Sequence, residues 1–113
     1  MPASWDQNKF DRWQELRKRL KECKRAKEYA QVIEVARTII DLDKEAPFIC
    51  IMTPLFYKEI GAAYEKLGDL SEAIRNYQIS LNGFKKHRES NETNKPDDWL
   101  KDIHSLSKKI ERL

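Results

Sequence analysis

The sequence predicts an all-α fold of about five helices, packed as antiparallel hairpins. Three observations carry that expectation. Apolar side chains recur at steps of three and four along most of the chain, charged residues fill the positions between them, and only three glycines and four prolines interrupt 113 residues. The balance of 40% apolar and 36% charged residues belongs to a helical globular protein rather than a disordered one. A chain of this length suits one domain, here residues 9–113, with a single core.

Residues 1–8 read as an N-terminal tail. From Lys9 to Ala26, Phe10, Trp13, Leu16, Leu20 and Cys23 form one apolar stripe, which predicts the first helix. The second begins near Lys27. Its stripe of Tyr29, Val32, Ile33, Val35, Ala36, Ile39 and Ile40 is wide enough for burial between two neighbours, and it fades at Asp41-Leu42-Asp43. Residues 44–53 mix apolar side chains with proline and read as a connection. Thr53 is expected to cap a third helix that runs from Pro54 to about Leu67, because proline in the first helical position has no amide hydrogen to waste.

Gly68-Asp69 then supplies a stop and a tight turn, since glycine accepts the left-handed conformation that closes many helices. Ser71 is placed as the cap of a fourth helix through Ala73, Ile74, Tyr77 and Leu81 towards Phe84, completing a hairpin over residues 54–86. Residues 87–96 have almost no apolar content and are expected to be a mobile, solvated loop. Asp97 or Asp98 begins a last helix over 97–113, whose Trp99, Ile103, Leu106, Ile110 and Leu113 would cover an exposed edge.

Within residues 57–81, Tyr57, Ile60, Gly61, Tyr64, Gly68, Ala73 and Tyr77 fall at the spacings of a helix hairpin with small residues at the crossing. Gly61 and Ala73 let the helices approach, and Tyr64 and Tyr77 fill the space around them. This stretch resembles the tetratricopeptide repeat. Residues 9–43 resemble a degenerate copy, with Leu20 in place of the family's glycine, Val32 in place of its alanine, and Ala26-Lys27-Glu28 in place of its glycine-aspartate turn. Val32 and Ala73 lie 41 positions apart, against about 34 in the standard repeat, so the resemblance is to the long-helix subtype with repeats of about forty residues. It implies a short α-α superhelix and a role in protein-protein interaction. A solenoid needs about three stacked units and this chain has fewer. Trp5, Phe10, Trp13 and Trp99 are therefore expected as caps, and Phe48, Ile49, Ile51 and Met52 either pack into the core or pair with a second copy of the chain.

Signals for chemistry are sparse, and the reading is of a non-enzyme with no catalytic residues, no cofactor and no metal. His87 and His104 lack partners at metal-ligand spacing and read as solvated. Asp41/Asp43 and Asp97/Asp98 read as helix-end residues, and no phosphate loop or nucleophile motif is present. Cys23 and Cys50 are too few for a disulfide framework and are expected to be buried thiols. With no stretch that could span a bilayer and no signal core in MPASWDQNKF, the expected setting is cytoplasmic and away from membranes.

The net charge of +3 is unevenly spread, and residues 17–27, RKRLKECKRAK, hold seven basic side chains and one acid. Arg17, Lys21 and Lys24 follow one another at i, i+4 and i+7 and so share one strip of a helix. In the family it resembles, the first helix of each pair lines a concave groove. That implies partner-binding positions at Gln14, Arg17, Lys21, Lys24 and Arg25 on the first helix, and at Leu55, Lys58, Glu59, Ala62, Glu65 and Lys66 on the third. A groove holding an acidic segment of another protein is the leading reading. The carboxylate clamp of some members is not expected, because Lys21 and Glu59 stand where that clamp has asparagines. The alternative is nucleic-acid binding by the same patch with Lys85, Lys86 and Arg88, against which no aromatic residues for base stacking are interleaved.

Overall fold

A computed structural model of the chain describes residues 6–90 and 100–113. Five α-helices and one short 3-10 turn make up the described residues: α1 (Gln7–Arg25), α2 (Tyr29–Glu45), the 3-10 turn Pro47–Ile49, α3 (Thr53–Leu67), α4 (Leu70–Ser90) and α5 (Leu100–Arg112). Packing runs between consecutive helices, with α2 between α1 and α3 and α4 between α3 and α5. The fold is all-α, and its helices are arranged as stacked hairpins.

Asp6 starts α1 by accepting hydrogen bonds from the amides of Asn8 and Lys9 at 2.9 and 3.3 Å. The helix thus begins at Gln7, two residues inside the expected tail. Leu16, Leu20 and Cys23 of α1 pack on Val32, Ile33, Val35, Ala36, Ile39 and Ile40 of α2 and on Ile60 and Ala63 of α3, forming one core. A second core gathers Ala73, Tyr77 and Phe84 of α4 with Ile103 and Leu106 of α5. The middles of the expected stripes are buried, whereas Phe10, Trp13, Tyr29, Ile110 and Leu113 are half-buried. Trp5 and Trp99, expected as caps, and Asp97 and Asp98, expected to start the last helix, lie outside the described residues, as do positions 91–96 of the expected loop.

The α3/α4 crossing depends on missing side chains. A Cβ on Gly61 would stand 2.7 Å from Cδ1 of Tyr77, so the ring lies directly on the glycine backbone. A Cβ on Gly83 would stand 2.6 Å from Cγ of Pro54, and the fully buried Ser80 donates from Oγ to the Pro54 carbonyl at 2.6 Å. The N-terminal end and the middle of α3 are thus held close to α4. Tyr64 is half-buried and packs beside the Ala73 and Tyr77 cluster as expected, and its hydroxyl also accepts a hydrogen bond from Arg37 of α2 at 2.8 Å.

The two helix turns share one geometry. After α3, Gly68 adopts φ 87°, its amide donates to the Glu65 carbonyl, and the Asp69 amide donates to Tyr64. After α1, Lys27 adopts φ 58°, its amide donates to Lys24, and the Glu28 amide donates to Cys23. This is the paired closure in which a left-handed residue satisfies the last carbonyls of a helix. Every participant in the first turn stands 41 positions before its counterpart in the second, the same offset as Val32 and Ala73.

Several expectations need correction. Asp69, not Ser71, caps α4, its Oδ1 accepting from the Glu72 amide at 3.2 Å, because the helix begins at Leu70 immediately after the turn. Thr53 is the first residue of α3 rather than its cap; that position falls to Met52, which makes no side-chain cap. Helix α4 continues to Ser90, so residues 87–90 are helical and His87 is half-buried. Lysine, arginine and glutamate favour helix without supplying an apolar signal. Cys50 is exposed, since it closes the 3-10 turn in a left-handed conformation at φ 58°. Ile51 is buried, and Phe48, Ile49 and Met52 pack against the two cores of their own chain.

Gly61→Val, which drives a branched side chain into Tyr77, is expected to cost on the order of 1 to 3 kcal/mol, as is Ala73→Leu at a fully buried site. Thermal melts check both. A wild-type melting temperature in either variant contradicts the packing described. The shared turn geometry also makes Gly68→Ala destabilising by about 1 kcal/mol, whereas Lys27→Gly is stabilising by about 0.5 kcal/mol because it relieves a left-handed lysine. Urea unfolding of the two variants should move in opposite directions.

Candidate functional site

Helices α1, α3 and α5 meet along one face through polar cross-links. Lys24 of α1 pairs with Glu59 of α3 at 2.9 Å. Lys58 of α3 pairs with Asp102 of α5 at 3.1 Å, and Lys109 of α5 reaches Glu65 at 3.4 Å. The helical repeat sets this pattern, because α3 turns Glu59 towards α1 while it turns Lys58 and Glu65 towards α5.

Between α1 and α3 lies a cleft of about 360 Å³. Arg17, Lys21 and Lys24 form its basic side, Leu20, Leu55 and Phe56 its apolar floor, and Glu59 is its one carboxylate. Trp13 braces the cleft edge-on against Phe56, with ring centroids 5.6 Å apart, and carries the Arg17 guanidinium 5.3 Å above its own ring. Lys24 is spoken for by Glu59, whereas no carboxylate among the described residues pairs with Arg17 or Lys21. A smaller, open depression of about 130 Å³ shares Lys24 and Glu59 with this cleft and is otherwise lined by Tyr29, Val32, Ala62, Ala63 and Lys66.

The expected groove residues therefore separate into groups. Arg17, Lys21, Lys24, Leu55 and Glu59 come together at the cleft, and Ala62 and Lys66 at the smaller depression. Lys58 and Glu65 turn towards α5 instead. Gln14 and Arg25 are exposed and line neither space. Arg25 fails geometrically, because it lies two residues past the buried Cys23 and so on the other side of the helix. Leu20, Phe56 and Trp13 were not legible as site residues, since an apolar side chain on a half-buried stripe carries no mark of whether it faces a core or a cleft.

A larger cleft, about 520 Å³, opens between α2 and α4. Its charges are more nearly balanced: Arg37, Lys44 and Arg75 face Asp41 and Glu72. Arg37 is engaged by Tyr64, and Arg75 approaches Glu72 at 3.8 Å. Size alone does not make it the better site. Nearby, Asp43 is held above the ordinary carboxylate range by burial, an effect opposed by a hydrogen bond from the Ile51 amide that ties the connection to α2. His104 is exposed, and among the described residues no three His, Cys, Asp or Glu side chains lie together as a metal site requires.

The α3/α5 side is a coupled network rather than an open site. Glu65 Oε1 accepts from the Tyr77 hydroxyl at 2.7 Å, and Lys109 Nζ approaches that hydroxyl at 3.3 Å and stands 5.2 Å from the ring centroid. The Tyr77 hydrogen bond, helped by Lys109, holds the Glu65 carboxyl below its ordinary value. Burial and the Glu65 carboxylate hold the Tyr77 hydroxyl well above its own.

No family model, curated protein or solved structure matches this chain.

A lowered Glu65 pKa contributes stability that is complete above the unfolded value of about 4.3 and is lost as pH falls through the folded value. Tyr77→Phe removes the largest cause of that shift. The variant is expected to be less stable than wild type by about 1 kcal/mol at neutral pH, with the difference shrinking below about pH 4. Urea unfolding at neutral and acid pH measures it, and a gap that does not change with pH contradicts the coupling.

Proposed function

We propose that this chain is a tetratricopeptide-type interaction module that holds an acidic segment of a partner protein between α1 and α3. One observation carries the reading: the cleft sets three cations, Arg17, Lys21 and Lys24, against one carboxylate, Glu59, above an apolar floor of Leu20, Leu55 and Phe56. A peptide with acidic and aliphatic side chains meets both requirements, the charges steering it and the floor burying its apolar groups. The repeated turn geometry and the 41-residue offset support the repeat assignment. The proposal includes a cytoplasmic setting, in which the free thiols of Cys23 and Cys50 stay reduced.

Nucleic-acid binding is the weaker reading. It needs Lys85, Lys86 and Arg88 to extend the α1 strip, yet α1 packs on α2 while α4 packs on α3 and α5. The two basic groups therefore stand on helices that are not packing neighbours.

The test is fluorescence anisotropy with a labelled acidic peptide and, separately, a labelled RNA. Arg17→Glu combined with Lys21→Glu is expected to weaken peptide binding by about tenfold or more while helicity is unchanged, because each exposed charge is reversed rather than removed. Unchanged peptide affinity in the double variant rejects the groove. Tight RNA binding that weakens steeply with salt would favour the alternative.

A further inference from the structure

The cations of the α1/α3 cleft are not equivalent. Lys24 is neutralised by Glu59 at 2.9 Å, so the charge left for a ligand comes from Arg17 and Lys21, with which no carboxylate among the described residues pairs. These two stand one helical turn apart on α1, where side chains at i and i+4 have Cβ atoms about 5 to 6 Å from one another. Both therefore reach one small anion. The Arg17 guanidinium is also partly fixed, since its carbon lies 5.3 Å from the centroid of the Trp13 ring, and Trp13 is set edge-on against Phe56 of the cleft floor.

We propose that the acidic segment taken by this cleft is a phosphorylated one, with a phosphoserine or phosphothreonine held between Arg17 and Lys21 and a neighbouring aliphatic side chain laid on Leu20, Leu55 and Phe56. The proposal rests on the acidic-peptide reading of the cleft and adds that phosphorylation of the partner controls binding. Charge and geometry both favour phosphate over carboxylate. Two uncompensated cations match the charge of a phosphomonoester, about −1.5 to −2 at neutral pH, whereas a carboxylate brings one charge and leaves a cation unanswered. A carboxylate has two oxygens, and the guanidinium fork uses both; a phosphate adds a third, which Lys21 is placed to bind as a point charge. An unmodified serine or threonine offers neither the charge nor the oxygens. The apolar floor beside the cations favours a peptide over a nucleic-acid backbone, which has no aliphatic side chain to lay on it.

The experiment compares three labelled, glycine-flanked peptides with the cores Glu-phosphoSer-Leu-Glu, Glu-Glu-Leu-Glu and Glu-Glu-Leu-Glu-Glu, the last matching the phosphopeptide in total charge. Their binding is measured by anisotropy to the wild-type chain, Lys21→Gln and the Arg17→Glu/Lys21→Glu double variant, with circular dichroism confirming that each variant folds. In wild type the phosphopeptide is expected to bind about tenfold more tightly than the charge-matched peptide, the scale of one added charge-assisted hydrogen bond. In Lys21→Gln that lead is expected to fall to about threefold or less. A wild-type chain that does not distinguish the phosphopeptide from the charge-matched one overturns the proposal, as does a lead that Lys21→Gln leaves intact. If in either case the peptides bind wild type and lose affinity in the double variant, the phosphate assignment alone is overturned and the groove stands. A labelled single-stranded RNA that binds more tightly than the phosphopeptide and weakens in Lys21→Gln would assign the two cations to a nucleic-acid backbone instead. Failure of wild type to bind any of the three peptides overturns both the phosphate assignment and the groove.

Discussion

Tyr77 is the side chain on which the arrangement of the last three helices depends. Its ring lies on the bare backbone of Gly61, its hydroxyl is bound by Glu65 of α3, and Lys109 of α5 closes over it. One residue of α4 thus sets the distance to α3 and the attachment of α5. At 1% exposure it leaves no slack in that crossing. The position of α3 shapes the face most, because α3 supplies Leu55 and Phe56 to the floor of the cleft facing α1 and the ion pairs facing α5.

The face formed by α1, α3 and α5 divides its charges unequally. On the α5 side, Lys58 pairs with Asp102 and Glu65 with Lys109, so those charges are matched within the fold. On the α1 side of the cleft Lys24 is matched, and among the described residues no carboxylate pairs with Arg17 or Lys21, which face the cleft. Of the basic residues along 17–27, Arg17, Lys21 and Lys24 are the ones the fold brings to the cleft. Packing with a fixed register turns a general basic composition into a located basic patch.

Much of this was legible in the sequence. The hairpin of residues 57–81 announced itself because Gly61, Gly68, Ala73 and Tyr77 answer local demands, a close crossing, a left-handed turn and the filling of space between them. The first turn was obscured because Lys27 adopts the same backbone conformation as Gly68 without being glycine. Capping was misplaced by two residues at α4, where Asp69 and Ser71 are both competent caps and only the position of the helix start chooses between them. The far end of α4 was lost because KKHRES continues a helix on propensity alone. At the site, the strip of Arg17, Lys21 and Lys24 follows from helical periodicity. Its partner Glu59 does not, since that pairing joins residues 35 positions apart and depends on the register of two helices. The contact of Gly83 with Pro54 was hidden for the same reason.

The central claim is that the α1/α3 cleft receives an acidic segment and that the α2/α4 cleft, though larger, does not. Amide chemical-shift mapping of the isotope-labelled chain during titration with an acidic, aliphatic peptide distinguishes the two faces most directly. The expected shifts cluster at Arg17, Leu20, Lys21, Lys24, Leu55 and Glu59. Shifts concentrated instead at Arg37, Lys44, Arg75 and Ile79, or spread evenly over the surface, would contradict the account.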